Sequence, residues 1–111
     1  MASTPTVWTV TTTTPTEQAA EDIAKAAVAE QLAAAAWISG PVKSVWWHLG
    51  ESGTGEEWRV ELRTPAGIVD QLMDRIRTLH PWDNPELIGV PIGACSDAYI
   101  EWARKSTIAA E

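Results

Sequence analysis

The chemistry this chain can offer is concentrated in His80-Pro81-Trp82-Asp83-Asn84-Pro85-Glu86 and in Trp46-Trp47-His48. In the first segment an imidazole stands beside an aromatic ring that has a proline on either side. Proline fixes its own φ and restrains the residue before it, so His80 and Trp82 are held in place as the wall of a site would be. Asp83 and Glu86 add oxygen donors, and His80 with Asp83 is the mixed set that a hard or borderline divalent cation would use, weakly. Trp46 and Trp82 are the rings to flank a small molecule, since pockets combine aromatic walls with a few fixed polar groups. Packing in the core or at an interface is the competing role for both. Only two histidines are present, so acid–base chemistry would fall to His48 and His80.

Several kinds of chemistry are missing. There is no Gly-rich phosphate loop, no nucleophile elbow and no HExxH or CxxC spacing. The single cysteine, Cys95, excludes an intrachain disulfide and a multi-thiolate zinc site within one chain. It reads as a buried structural thiol, with a reactive thiol as the alternative. Eight basic residues against fifteen acidic give a net charge of −7, which repels phosphate backbones and anionic membrane surfaces. Neither nucleic acid nor membrane is an expected partner. No segment reaches the roughly 18–20 uninterrupted apolar residues of a membrane span. Met1-Ala2-Ser3-Thr4-Pro5 lacks the basic region and apolar core of a secretion signal, so a cytoplasmic location is expected.

The elements that would position these residues follow from periodicity. Residues 1–6 read as a flexible leader, 7–106 as one domain and 107–111 as a loose tail. Val7 to Thr13 is β-branched and aromatic, a strand. Thr14-Pro15-Thr16-Glu17 then predicts a helix with Thr14 as N-cap, Pro15 at the first position and Glu17 completing a capping box. The alanine-rich stretch to about Ala34 carries Ala20, Ile23, Ala24, Ala27 (or Val28) and Leu32 at helical spacing. Ala35 to His48 reads as a long strand interrupted at Gly40-Pro41, and Glu51 to Glu56 as a turn. Glu57 to Arg63 alternates, with Trp58, Val60 and Leu62 on one face. Thr64-Pro65 repeats the cap signal before a helix bearing Ile68, Leu72, Ile76 and Leu79. Leu87 to Ile92 is a short strand, and Ser96 caps a last helix from Asp97 to about Ser106. The order β-α-β-β-α-β plus a helix predicts an α+β, ferredoxin-like split-βαβ sandwich. Seven tryptophans are too many for the core of one small domain, which hints at an oligomer.

In sequence the chain resembles the CutA family, small trimeric proteins named for divalent-cation tolerance. The resemblance runs from about residue 7 to 105. It rests on Thr13-Thr14-Pro15, Ala29-Glu30-Gln31-Leu32-Ala33-Ala34, Ser44-Val45-Trp46, Glu57 through Thr64 and His80 through Leu87. The last segment is similar to the family's His-Pro-Tyr-x-x-Pro-Glu. The resemblance implies a ferredoxin-like protomer in a tight homotrimer, like the PII signalling proteins in fold and assembly. It also implies ion or small-metabolite sites in the clefts between subunits. Glu57 holds the family's acidic position, to neutralise a cationic ligand or cap a backbone group. Arg63 matches a basic position that suits an anionic group.

The departures are as informative. Family members credited with copper binding use a Cys where this chain has Thr12, and a first His where it has Leu79, leaving His80 alone. One imidazole without a thiolate is a poor copper site, so a copper or zinc ion, if bound, is expected to bind weakly. His48 stands where the family places an indole. It is either drift on an exposed hairpin tip or a cleft residue that binds a ligand or moves a proton. The main expectation is a trimeric binding or signalling module. The alternatives are an enzyme or biosynthetic accessory using His48 and His80 in a Trp-lined cleft, and a trimer with no ligand.

Overall fold

The computed structural model describes residues 6–110; the expected leader, apart from Thr6, and Glu111 lie outside them. The chain forms β1 (Val7–Thr14), α1 (Glu17–Ala29), β2 (Ala35–His48), β3 (Glu51–Pro65), α2 (Val69–Leu79), β4 (Leu87–Pro91) and α3 (Asp97–Lys105). The sheet order is β2-β3-β1-β4 and each neighbouring pair is antiparallel. This is the split-βαβ arrangement expected from the element order. Opposed residues share a face, so Trp8, Val10, Thr12 and Thr14 of β1 align with Thr64, Leu62, Val60 and Trp58 of β3. α1 and α2 cover that face. Ala20, Ile23, Ala27, Leu72 and Ile76 pack with Val10, Val60 and Leu62 in the main core. α3 closes a second cluster of Val7, Ala34 and Ala103, against which Cys95 packs while half-buried rather than buried.

Local chemistry moved several boundaries. Thr14 completes the β1–β3 ladder opposite Trp58, so α1 starts two residues later than expected. Its N-cap is Thr16, whose hydroxyl accepts from Ala19 N at 3.1 Å, and Glu17 is the first helical residue rather than part of a capping box. α1 ends at Ala29, five residues short of the expected end. Gln31 turns left-handed at φ 58°, and Leu32 N and Ala33 N return to Ala27 O. Thr64 does not cap α2. It stays in β3 and donates to Leu32 O at 2.8 Å, and a 3-10 turn, Ala66–Ile68, leads into the helix. The expected loose tail is ordered over 107–110. Thr107 is buried and donates to Ala103 O, and Ile108 N donates to Gln31 O at 2.9 Å.

The largest correction concerns Glu51 to Glu56. These residues are strand, and the turn is only Leu49-Gly50, with φ of 52° and 85°. Two positive φ values in a two-residue loop match the right-handed twist of the flanking strands. Because β1 pairs with β3 only from Trp58 onward, Val42–His48 and Glu51–Glu57 form a two-stranded arm beyond the sheet. β2 runs through Gly40-Pro41, a cis peptide, with a register shift between Ser39 and Val42 where the arm begins. A side chain at Gly40 would meet the Trp58 ring at 2.7 Å.

Gln31 is a non-glycine residue in a left-handed, exposed position. Replacing it with glycine removes the Cβ penalty, so Gln31→Gly is expected to raise stability by about 0.5–1 kcal/mol, read from the urea midpoint. A lowered midpoint would show that the Gln31 side chain supports the α1 terminus.

Candidate functional site

The arm, the end of β1 and the turn after α2 line an open cavity of about 690 Å³. Its lining is Thr13, Trp46, Trp47, His48, Glu57, Trp82, Asp83, Asn84 and Glu86. Cross-strand register explains much of this set. Trp46 opposes Gly53, Val42 opposes Glu57 and His48 opposes Glu51, so Trp46, His48 and Glu57 share one face of the arm. A Cβ at Gly53 would overlap the six-membered ring of Trp46, and one at Gly55 would sit 3.8 Å from its Nε1. The indole therefore lies flat across the glycine-bearing strand. Those glycines give the segment the composition of a turn while serving as a platform for a ring.

The opposite wall depends on how residues 80–86 are fastened to β1. His80 is buried, at 9% exposure. Its Nε2 lies 2.8 Å from Thr13 O, and its Nδ1 accepts from Trp82 N at 3.1 Å. The pattern requires a neutral ring with the proton on Nε2, and it occupies both nitrogens. The His80 and Trp82 rings lie 5.5 Å apart at 35°. At the far end of the turn the Thr12 hydroxyl donates to Glu86 O at 2.7 Å. These contacts present Trp82, Asp83, Asn84 and Glu86 to the cavity.

Sequence candidates and geometry thus agree only in part. Trp46, His48, Glu57, Trp82 and Asp83 are brought together. His80 supports the site from behind and is not part of the lining. Arg63 is elsewhere, six residues from Glu57 along β3, or about 20 Å at strand spacing. There it stacks on Trp37 at 4.9 Å, with Glu61 3.8 Å away. Glu86, expected as an oxygen donor beside Asp83, also reaches the lining, which Thr13, Trp47 and Asn84 join without a sequence signal of their own type. The alternation of the arm and the length of the turn were the available signals.

The profile of the family described as CutA1 divalent ion tolerance protein matches residues 8–106. The chain belongs to this family. It is 34% identical over 95 residues to the divalent-cation tolerance protein CutA of Thermus thermophilus, covering 86% of this chain and 92% of that protein. It is 32% identical over 95 residues to the chloroplastic Protein CutA 1 of Oryza sativa subsp. japonica, covering 86% of this chain but only 54% of that longer protein. The crystal structure of CutA1 from Oryza sativa superposes with a TM-score of 0.88 at 31% identity, covering 94% of this chain and 95% of that one. The CutA fold is therefore shared nearly end to end.

The family name raises the question of a resident metal, and the donor set in this chain does not fit copper. Thr12 offers a neutral hydroxyl already committed to Glu86 O, and both His80 nitrogens are engaged by backbone. Cys95 belongs to the packing cluster under α3. Among the described residues no three His, Cys, Asp or Glu side chains are grouped as ligands for a metal ion. The pairing of His80 with Asp83 as metal ligands is therefore not supported. Nor is an acid–base pair of His48 and His80 assembled, because His80 has no free nitrogen to offer.

Burial lowers the His80 pKa from the ordinary 6.5, against a smaller upward pull from its hydrogen bond to Thr13 O. An imidazole that folds neutral contributes stability above the unfolded-state pKa and loses it as pH falls toward the lower native value. The urea midpoint is thus expected to fall between pH 7.5 and pH 5.5, and His80→Asn is expected to flatten that slope while lowering the midpoint at pH 7.5. An unchanged slope in His80→Asn would show that His80 is not held neutral.

Proposed function

We propose that this CutA-family protein is a self-associating binding module, a homotrimer, that holds a small ligand in the cavity between its arm and the 80–86 turn. The observation that carries the proposal is the division of labour on the arm. One face presents Trp46, His48 and Glu57 to the cavity. The other presents Val45 and Trp47, 74% and 73% exposed, and the tip carries Leu49 at 87%. The sheet face away from α1 and α2 adds Trp37, Ile88 and Val90, all exposed, with Trp37 and Ile88 in register across β2, β3, β1 and β4 and Val90 two residues along β4. Apolar surface of this extent on a small domain is what an interface supplies. A closed assembly would also cover the free edges of β2 and β4.

Divalent-cation tolerance, copper included, comes to this chain through its family. The carboxylates of Glu57, Asp83 and Glu86 line the cavity as separate hard donors rather than as one grouped site, so a divalent ion there would be held only loosely and exchange freely. By analogy with PII-like modules, ligand occupancy next to the arm would be passed to the assembly, because the same two strands serve both. A cytoplasmic location is part of this proposal. No helix among the described residues is long and apolar enough to cross a membrane.

Native mass spectrometry is expected to show a trimer at micromolar concentration. Trp47→Glu buries a charge in the proposed interface and is expected to weaken assembly about thirtyfold or more, with folded monomer appearing. A wild-type monomer, or a Trp47→Glu trimer as tight as wild type, would overturn the assembly.

A further inference from the structure

We propose that the cavity selects an organic cation, an alkylated ammonium, rather than a metal ion, an anion or a neutral solute. The proposal rests on the reading of this cavity as a binding site and adds its ligand chemistry. Three observations converge on it. The lining holds the carboxylates of Glu57, Asp83 and Glu86 and no Lys or Arg, so an anion is repelled. The same lining holds two indoles on facing walls, Trp46 and Trp82, and indole faces carry the negative end of the ring quadrupole, while the Trp47 ring on the other face of the arm reaches only its edge. Finally, the acidic groups are not gathered as a metal cluster, whereas a diffuse organic cation requires no fixed coordination geometry.

Hydration decides between the two kinds of cation. A small divalent ion surrenders its water only to several well-placed oxygens. An alkylated ammonium is weakly hydrated and wraps its charge in methyl or methylene groups, which indole rings can contact at little desolvation cost. The volume of about 690 Å³ suits a molecule of this class. Two of the rings are also held before any ligand arrives. Trp46 lies across Gly53, and Trp82 is positioned by its backbone bond to His80 and by the neighbouring imidazole. Holding the walls in advance lowers the ordering cost of binding. The net charge of −7 favours approach of a cation from solution.

The test is isothermal titration calorimetry of the full chain with choline chloride and with 3,3-dimethylbutan-1-ol, its neutral isostere, in the same sodium chloride background. Choline is expected to bind saturably, and the alcohol about tenfold more weakly or worse. Trp82→Leu and Glu57→Gln, both at exposed or half-exposed positions, are each expected to weaken choline by about three- to thirtyfold. Equal binding of choline and the alcohol, both weakened by Trp82→Leu, would overturn the cation preference and leave the cavity as a binding site. No binding of either compound at millimolar concentration, or binding indifferent to both variants, would overturn the ligand class and the cavity together.

Discussion

The site depends on one fastening. His80 spans from the end of α2 to the backbone of β1 with one nitrogen and holds Trp82 N with the other, while Thr12 ties down Glu86. Without these three bonds the 80–86 turn has little to hold it. Its side chains are mostly exposed, and residues 80–86 belong to no helix or strand. A buried imidazole that spends both nitrogens on backbone is costly to lose, because each partner would be left unpaired beneath the turn. Thr12 and His80 both spend their polar groups on backbone and so serve as fasteners rather than as donors to the cavity.

The arm is the second determinant, and its properties come from alternation. A register shift between Ser39 and Val42 marks the departure of the two strands from the sheet, and the Leu49-Gly50 turn closes them without splaying. From then on every second residue belongs to the cavity and every other to the surface proposed for assembly. A one-residue slip would exchange Trp46 with Trp47 and dismantle both surfaces at once. The glycines of β3 explain how a ring as large as Trp46 fits on a two-stranded ribbon. It occupies the space that a side chain at 53 would fill and lies within ordinary contact of Gly55.

Much of the fold was legible in the sequence because hydrophobic period and order of elements are local signals. The alternation of Trp58, Val60 and Leu62, and the helical spacing of Leu72 and Ile76, identify the buried face directly. Boundaries were harder where tertiary bonds compete with local ones. Thr14 and Thr64 both have the type of an N-cap, yet each is kept in its strand by the ladder. Glu51 to Glu56 has the composition of a turn but forms strand, because glycine marks a turn and a close ring contact equally well. At the site, Trp46, Glu57, Trp82 and His48 were identifiable by type. The distance of Arg63 from them, and the inward commitment of His80, follow from register and hydrogen bonding that no linear pattern carries.

The claim on which this account turns is that His80 is a neutral fastener rather than a ligand. The most direct measurement is the nitrogen-15 spectrum of the imidazoles at pH 7.5, before and after zinc is added. The account requires His80 to carry its proton on Nε2, with Nδ1 an acceptor, and its nitrogen shifts to stay fixed as zinc is titrated. A proton on Nδ1, or a His80 resonance displaced by the metal, would contradict it.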